Sequence, residues 1–299
     1  MEKKGRLLFL CIALLTLTSC IQVDTVVKVK KDGSGVIEET FLMKKELLRQ
    51  MEKMAEEMAK SMEQTLTGEE KSGKNQKDAD SRLKAQEFHL YDEAKLKERV
   101  KDMGEGVTYL GGSKIVTDDY EGYRTFYAFT DINKVRMNQN SGDKIQSGPL
   151  QDSTDEKTAK QYITFMFTKG KPAELLIKIP ESKSGKNPED AAEDMKSAPK
   201  DEKVQKEMTE QIKGMFQGMK IALSVAVDGN VLETNAAYRE GPKITLMELD
   251  FGKLIEMPEQ LAKLSQSKPK TLEEFTALIR NVPGIKVDLN REIRIKFDQ

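Results

Sequence analysis

Side chains able to act as nucleophiles or soft metal ligands are scarce in this sequence. Its 299 residues hold one histidine, His89, and two cysteines, Cys11 and Cys20. A Ser–His–Asp relay would have to use His89, in Phe88-His89-Leu90-Tyr91, and no Gly-x-Ser-x-Gly elbow accompanies it. Zinc favours three or four Cys and His ligands, which this chain cannot supply without leaning on carboxylates. Asp118-Asp119 and Asp32-Gly33-Ser34-Gly35 offer oxygens for calcium, but neither has the spaced acidic ladder of an EF-hand loop, and both read as turns. Gly111-Gly112-Ser113-Lys114 lacks the leading glycine and spacing of a phosphate loop and reads as a bulge or kink in a strand. With 50 acidic residues, pairs of carboxylates carry little information, and the absence of Trp removes the usual platform for a sugar. The residues argue against an enzyme and call for no metal or cofactor. A net charge of −1 gives no basic excess for nucleic acid.

Methionine is what the chain offers instead. Leu47, Met51, Met54, Met58 and Met62 recur at steps of four, three, four and four, which predicts one apolar face of a helix over residues 44–66. Val204, Met208, Ile212 and Met215 predict a second such face over 203–218, with Met219 just beyond it. Soft, unbranched thioethers fill irregular gaps in a core, or form an adaptable apolar face for lipid or polypeptide. Both readings stand for Met51, Met54, Met58, Met62, Met208 and Met215.

The two cysteines sit in a patterned N-terminus. A positive start, Met1-Glu2-Lys3-Lys4-Gly5-Arg6, is followed by the uncharged run Leu7 to Leu17. This is the pattern of a secretory signal peptide, and the run is too short for a transmembrane helix of about 20 residues. It ends Leu17-Thr18-Ser19-Cys20, which resembles the lipobox of bacterial lipoproteins: an aliphatic residue, two small ones, then cysteine. The resemblance implies a diacylglyceryl group on the Cys20 sulfur, cleavage before Cys20, and acylation of the new amino group. Acyl chains anchor firmly, since each buried CH₂ contributes about 0.8 kcal/mol. Residues 1–19 are then a signal peptide and residues 20–299 one mature envelope domain. Loss of Cys11 and use of Cys20 leave no thiol for a disulfide, so packing must stabilise the fold. Ile21 stands where inner-membrane lipoproteins of two-membrane bacteria tend to carry Asp, which implies the periplasmic face of an outer membrane where the host has one.

The elements that follow are mostly strands in pairs. Residues 22–30 and 36–43 flank an Asp-Gly turn and predict a hairpin almost abutting Cys20. Further hairpins are predicted at 107–130, 162–179, 219–235 (with a third strand at 244–251) and 284–297. Helices are predicted at 44–66, 91–103, 203–218, 252–266 and 271–281. Polar stretches at 67–82, 137–158 and 180–202 read as long disordered loops. Strand pairs without βαβ alternation predict an α+β fold: antiparallel hairpins and a meander, with amphipathic helices packed on the sheet.

The opening Val26-Val27-Lys28-Val29-Lys30-Lys31-Asp32-Gly33-Ser34-Gly35-Val36-Ile37-Glu38-Glu39 resembles the start of LppM-type bacterial lipoproteins. Val231-Leu232-Glu233-Thr234-Asn235-Ala236 and the strand Ile244-Thr245-Leu246 are similar to the closing hairpin of that domain. The resemblance covers about a quarter of the chain, and implies an envelope domain of sheet and helices with a lipid-binding cavity. Members of that group often end in a transmembrane helix, whereas this sequence ends Arg294-Ile295-Lys296-Phe297-Asp298-Gln299. No binding residues carry over. The leading expectation is a lipid-anchored protein that binds an envelope protein or lipid, or acts structurally. A lipid carrier with a Met-lined cavity comes second, and an enzyme working through Asp and Glu alone third.

Overall fold

The computed structural model describes residues 20–53, 90–138, 161–180, 218–257, 279–280 and 282–298. Its strands are β1 (Ile21–Val29), β2 (Gly35–Lys44), β3 (Val107–Val116), β4 (Tyr120–Phe129), β5 (Arg136–Asn138), β6 (Tyr162–Thr168) and β7 (Ala173–Lys178), followed by β8 (Met219–Val227), β9 (Asn230–Thr234), β10 (Arg239–Glu240), β11 (Lys243–Asp250), β12 (Ile285–Val287) and β13 (Glu292–Asp298). A period of two explains most of them. In β1 the odd positions Ile21, Val23, Val27 and Val29 are buried; in β13 Ile293, Ile295 and Phe297 are, each with no exposed surface.

The strands form two sheets. An eight-stranded sheet runs β10-β11-β8-β1-β2-β4-β3, with β12 beside β11, and a five-stranded sheet runs β5-β6-β7-β13-β9. All pairs are antiparallel except β1 and β8, which run parallel from Ile21 opposite Met219 to Val29 opposite Val227. Between the sheets lies one apolar cluster, with Val27, Val29, Ile37, Phe129, Val225 and Val227 from the larger and Phe165, Leu175, Ile177, Ile293, Ile295 and Phe297 from the smaller.

This arrangement corrects the α+β expectation: sheet packs on sheet, and among the described residues no layer of helices lies between the two sheets. The described helices are short: α1 (residues 45–53), α2 (Glu93–Glu98) and α3 (Phe251–Ile255), with 3₁₀ turns at Arg99–Asp102 and Ile132–Lys134. The reason lies in the strands. β7 and β13 turn Ala173, Leu175, Ile177, Ile293, Ile295 and Phe297 inward, a continuous apolar face that the larger sheet covers. The fold is also not wholly antiparallel, since β8 returns beside β1 in the same direction.

Three predicted hairpins form, β1/β2, β3/β4 and β6/β7. Two others do not. β8 pairs with β11 and β1 in the large sheet while β9 pairs with β13 in the small one; β12 pairs with β11 while β13 joins β7 and β9. The turns at 228–229 and 288–291 are crossovers between sheets. Within the predicted helix over 91–103, residues 93–102 are helical, narrowing from α2 into a 3₁₀ turn that ends before Gly104, whose φ is +114°. The predicted helix over 44–66 is described only as α1. The helix over 203–218 and the loops at 67–82, 137–158 and 180–202 fall almost wholly outside the described residues.

Candidate functional site

The face of the large sheet that meets the small sheet is apolar at both ends and polar across its middle. On β1 the inward residues read Ile21, Val23, Thr25, Val27, Val29. Their partners on β2 are Met43, Phe41, Glu39, Ile37 and Gly35. On β4 the next positions are Glu121, Tyr123, Thr125, Tyr127 and Phe129. Thr25, Glu39 and Thr125 are therefore neighbours in one row across three strands, and Gly112 of β3 continues it. All three polar residues are buried, at 1%, 3% and 0% exposure. The row divides the inter-sheet cluster from a second one made of Ile21, Val23, Phe41, Met43, Leu47, Leu48, Met219 and Ile221.

A buried carboxylate must be paired or neutralised. Glu39 is paired by Arg99, from the 3₁₀ turn that crosses above the row. Arg99 Nη1 lies 2.9 Å from Glu39 Oε2, and Nη2 donates to Oε1 at 3.2 Å, a two-pronged contact. Arg99 Nη1 also donates to the Tyr123 hydroxyl at 3.4 Å. Burial works against the guanidinium charge, but the Glu39 carboxylate together with the Tyr123 and Tyr127 hydroxyls outweighs it and holds Arg99 above its ordinary pKa.

Four tyrosines surround the pair. Tyr123 stacks on Phe41 with ring centroids 5.6 Å apart, and Tyr109 meets Tyr127 edge to face at 5.7 Å. The Tyr127 hydroxyl donates to the Leu96 carbonyl of α2 at 3.2 Å, and the Tyr91 hydroxyl donates to the Gly112 carbonyl at 3.1 Å. Gly112 suits this close packing: a Cβ would come within 3.0 Å of the Tyr109 hydroxyl, 3.1 Å of the Arg124 carbonyl and 3.3 Å of the Tyr91 ring. A β-bulge between Tyr109 and Gly111 produces this close approach, at the glycines read from sequence as a bulge or kink. Burial pushes the Tyr123 and Tyr127 phenols up, and pushes Tyr109 up to about 12.

The residues singled out from sequence lie elsewhere. Cys20 is half-buried against the second cluster, and its carbonyl accepts from the Lys44 N–H at 2.7 Å, so the sheet begins at the very next residue. Met51 packs on that cluster from α1, and Met219 opens β8 buried within it. Met54, Met58, Met62, Met208, Met215 and His89 lie outside the described residues. Asp32 accepts the N–H and hydroxyl of Ser34 at 3.0 and 2.7 Å, and these bonds hold its carboxyl below the usual range. Asp119 turns its carbonyl to the Lys45 N–H at 2.9 Å. Both are turn chemistry. Among the described residues no three His, Cys, Asp or Glu side chains are grouped to hold a metal.

Sequence reasoning missed Glu39, Arg99, Thr25, Thr125 and the tyrosines. The signal was present for three of them: Glu39, Thr25 and Thr125 each occupy the apolar phase of an alternating strand. Arg99 carried no such mark.

The sequence matches no known protein family and no characterised protein. Among solved structures it is similar to the NMR structure of the folded domain of Mycobacterium tuberculosis LppM, at 10% identity and a TM-score of 0.28, covering 79% of this chain and 85% of that one. That domain bears the name of the group the opening strands resemble, but an overlap this low carries no argument about fold or activity. Among the described residues no helix is long and apolar enough to cross a membrane.

Proposed function

We propose that this chain is a lipid-anchored envelope protein with a non-catalytic binding or structural role. The anchor is lipid on Cys20, and the partner an envelope protein or lipid at the membrane surface. The observation that carries the reading is the join between Leu17-Thr18-Ser19-Cys20 and β1. Strand pairing starts at Ile21, one residue of about 3.5 Å beyond the cysteine. A lipid at Cys20 holds the β-sandwich against the bilayer with no stalk, the end of the large sheet bearing Ile21, Met43 and Met219 nearest the lipid. The absence of Asp at position 21 favours the outer membrane in a two-membrane host.

The test is metabolic labelling of the full chain with an alkyne-bearing fatty acid, followed by membrane fractionation. The wild-type protein takes up label and sediments with membranes. A Cys20→Ser variant takes up none and is released into the soluble fraction. Label retained by Cys20→Ser refutes lipidation at this residue.

A further inference from the structure

The polar row beneath residues 91–103 is an anomaly of construction. A face built only to close a sandwich is apolar throughout, and replacing a buried ion pair by apolar residues of similar volume is often neutral or stabilising. Here a carboxylate and two threonines sit side by side in the middle of that face, between two apolar clusters. Aromatic side chains stand around the carboxylate: Tyr123 and Phe41 on one side, Tyr127 and Tyr109 on the other. A carboxylate floor with aromatic walls is the chemistry that takes a guanidinium or an alkylammonium.

We propose that this cleft is a cation-binding site for an arginine or lysine side chain of a partner polypeptide, and that Arg99 is its built-in occupant. Residues 91–103 form a strap across the cleft. Between Tyr91 and Arg99 the strap holds on by directional links: Tyr91 to the Gly112 carbonyl, Tyr127 to the Leu96 carbonyl, and Arg99 to Glu39 and Tyr123. Its buried apolar anchor in that stretch is Leu96. The far end is fixed more firmly. Met103 is buried in the inter-sheet cluster, and Arg136 donates to the carbonyls of Met103, Asp102 and Lys101. Leu90, just before the strap, packs on the second cluster, so the stretch is held at both ends and is fastened across the cleft between them mainly by polar links and Leu96; such a stretch opens below the cost of global unfolding. The Arg99 side chain keeps 28% of its surface exposed against 4% for Glu39, so the guanidinium stands at the mouth and the carboxylate at the floor. Swinging the strap out withdraws the cation and leaves Glu39 and the rings to a guanidinium from outside.

Two measurements on the full-length protein test this. Hydrogen exchange on the wild-type chain compares amides of residues 94–100 with those of β1, β2 and β4. The strap amides exchange faster by at least tenfold and with a weaker dependence on denaturant. Separately, Arg99→Ala empties the guanidinium position, and ethylguanidinium chloride is titrated into it with sodium chloride as the control for ionic strength. The unfolding midpoint of Arg99→Ala rises saturably with ethylguanidinium, the folded-to-unfolded ratio gaining about 11-fold at ten times the Kd. Neither wild type nor Arg99→Ala/Glu39→Gln responds. An Arg99→Ala protein indifferent to ethylguanidinium, or strap amides that exchange only with the core strands, overturns the proposal. Should Arg99→Ala not fold, the exchange measurement on the wild-type chain decides.

Discussion

Removing Arg99 and removing the pair together should have opposite consequences, and the structure fixes the size of each. In Arg99→Met the apolar stem is kept while the charge goes. Glu39, 4% exposed, then loses its two-pronged partner. Breaking a buried pair in this way costs about 3–5 kcal/mol, because a desolvated charge is left behind. The 28% exposure of Arg99 lets water reach the gap, which sets the expectation near the low end, about 3 kcal/mol. That is about two decades in the folded-to-unfolded ratio. In Glu39→Leu/Arg99→Met both charges are gone and the row is filled with apolar volume, so stability returns to within about 1 kcal/mol of wild type or exceeds it. Urea unfolding of the wild type, both single variants and the double variant closes the cycle. A loss below about 1 kcal/mol for Arg99→Met, the value of an exposed pair, would refute the claim that Glu39 is held in a desolvated row.

Two further outcomes follow from the geometry. In Gly35→Ala the new Cβ runs into the Lys28 carbonyl and the Phe129 ring, so a loss of about 3 kcal/mol is expected, against about 1 for Gly241→Ala, where φ is +57° but the surrounding space is open; equal losses in urea melts would count against the clash. The tyrosines impose an alkaline limit. Tyr109, Tyr123 and Tyr127 have raised pKa values in the fold, so above pH 10 the unfolded chain holds fewer protons, and stability is full below that pH and falls as pH rises towards about 12. Tyr109→Phe should flatten that fall in a series of urea midpoints, and an unchanged slope would show that Tyr109 is not held neutral.

How far the fold could be read depended on whether the deciding contact was local. Asp32-Gly33 and Asp228-Gly229 look alike in sequence, each between two apolar runs. At the first, Gly33 donates to the Lys30 carbonyl and the chain folds back on itself as β2. At the second, Asp228 donates to the Val29 carbonyl, on a strand nearly 200 residues earlier, and a Cβ on Gly229 would strike the Asp298 carbonyl at the other end of the chain. The same dipeptide serves a hairpin in one place and a sheet crossover in the other, because partners distant in sequence take the flanking strands into different sheets. Reading helices onto the sheet failed for a similar reason: alternation shows that Leu175 and Ile295 face inward, but not that they face another sheet.

The site was half legible, and the missing half is instructive. Glu38 and Glu39 are adjacent and identical, and nothing in their type separates them. Their phase does. Glu38 shares a face with outward positions and makes surface contacts with Lys28 at 2.6 Å and Arg124 at 3.4 Å. Glu39 stands between Ile37 and Phe41, both buried, and so had to enter the core. A strand with a carboxylate in its apolar phase requires a cation from somewhere, since a lone buried charge is too costly to keep. That requirement could have been written down from β2 alone. Which cation answers it could not, because Arg99 lies 60 residues away and reaches Glu39 from the 3₁₀ turn after α2, which β3 and β4 hold beside β2. The demand for a partner is local and the supply is topological, which is why a site of this kind shows first as an unexplained acid.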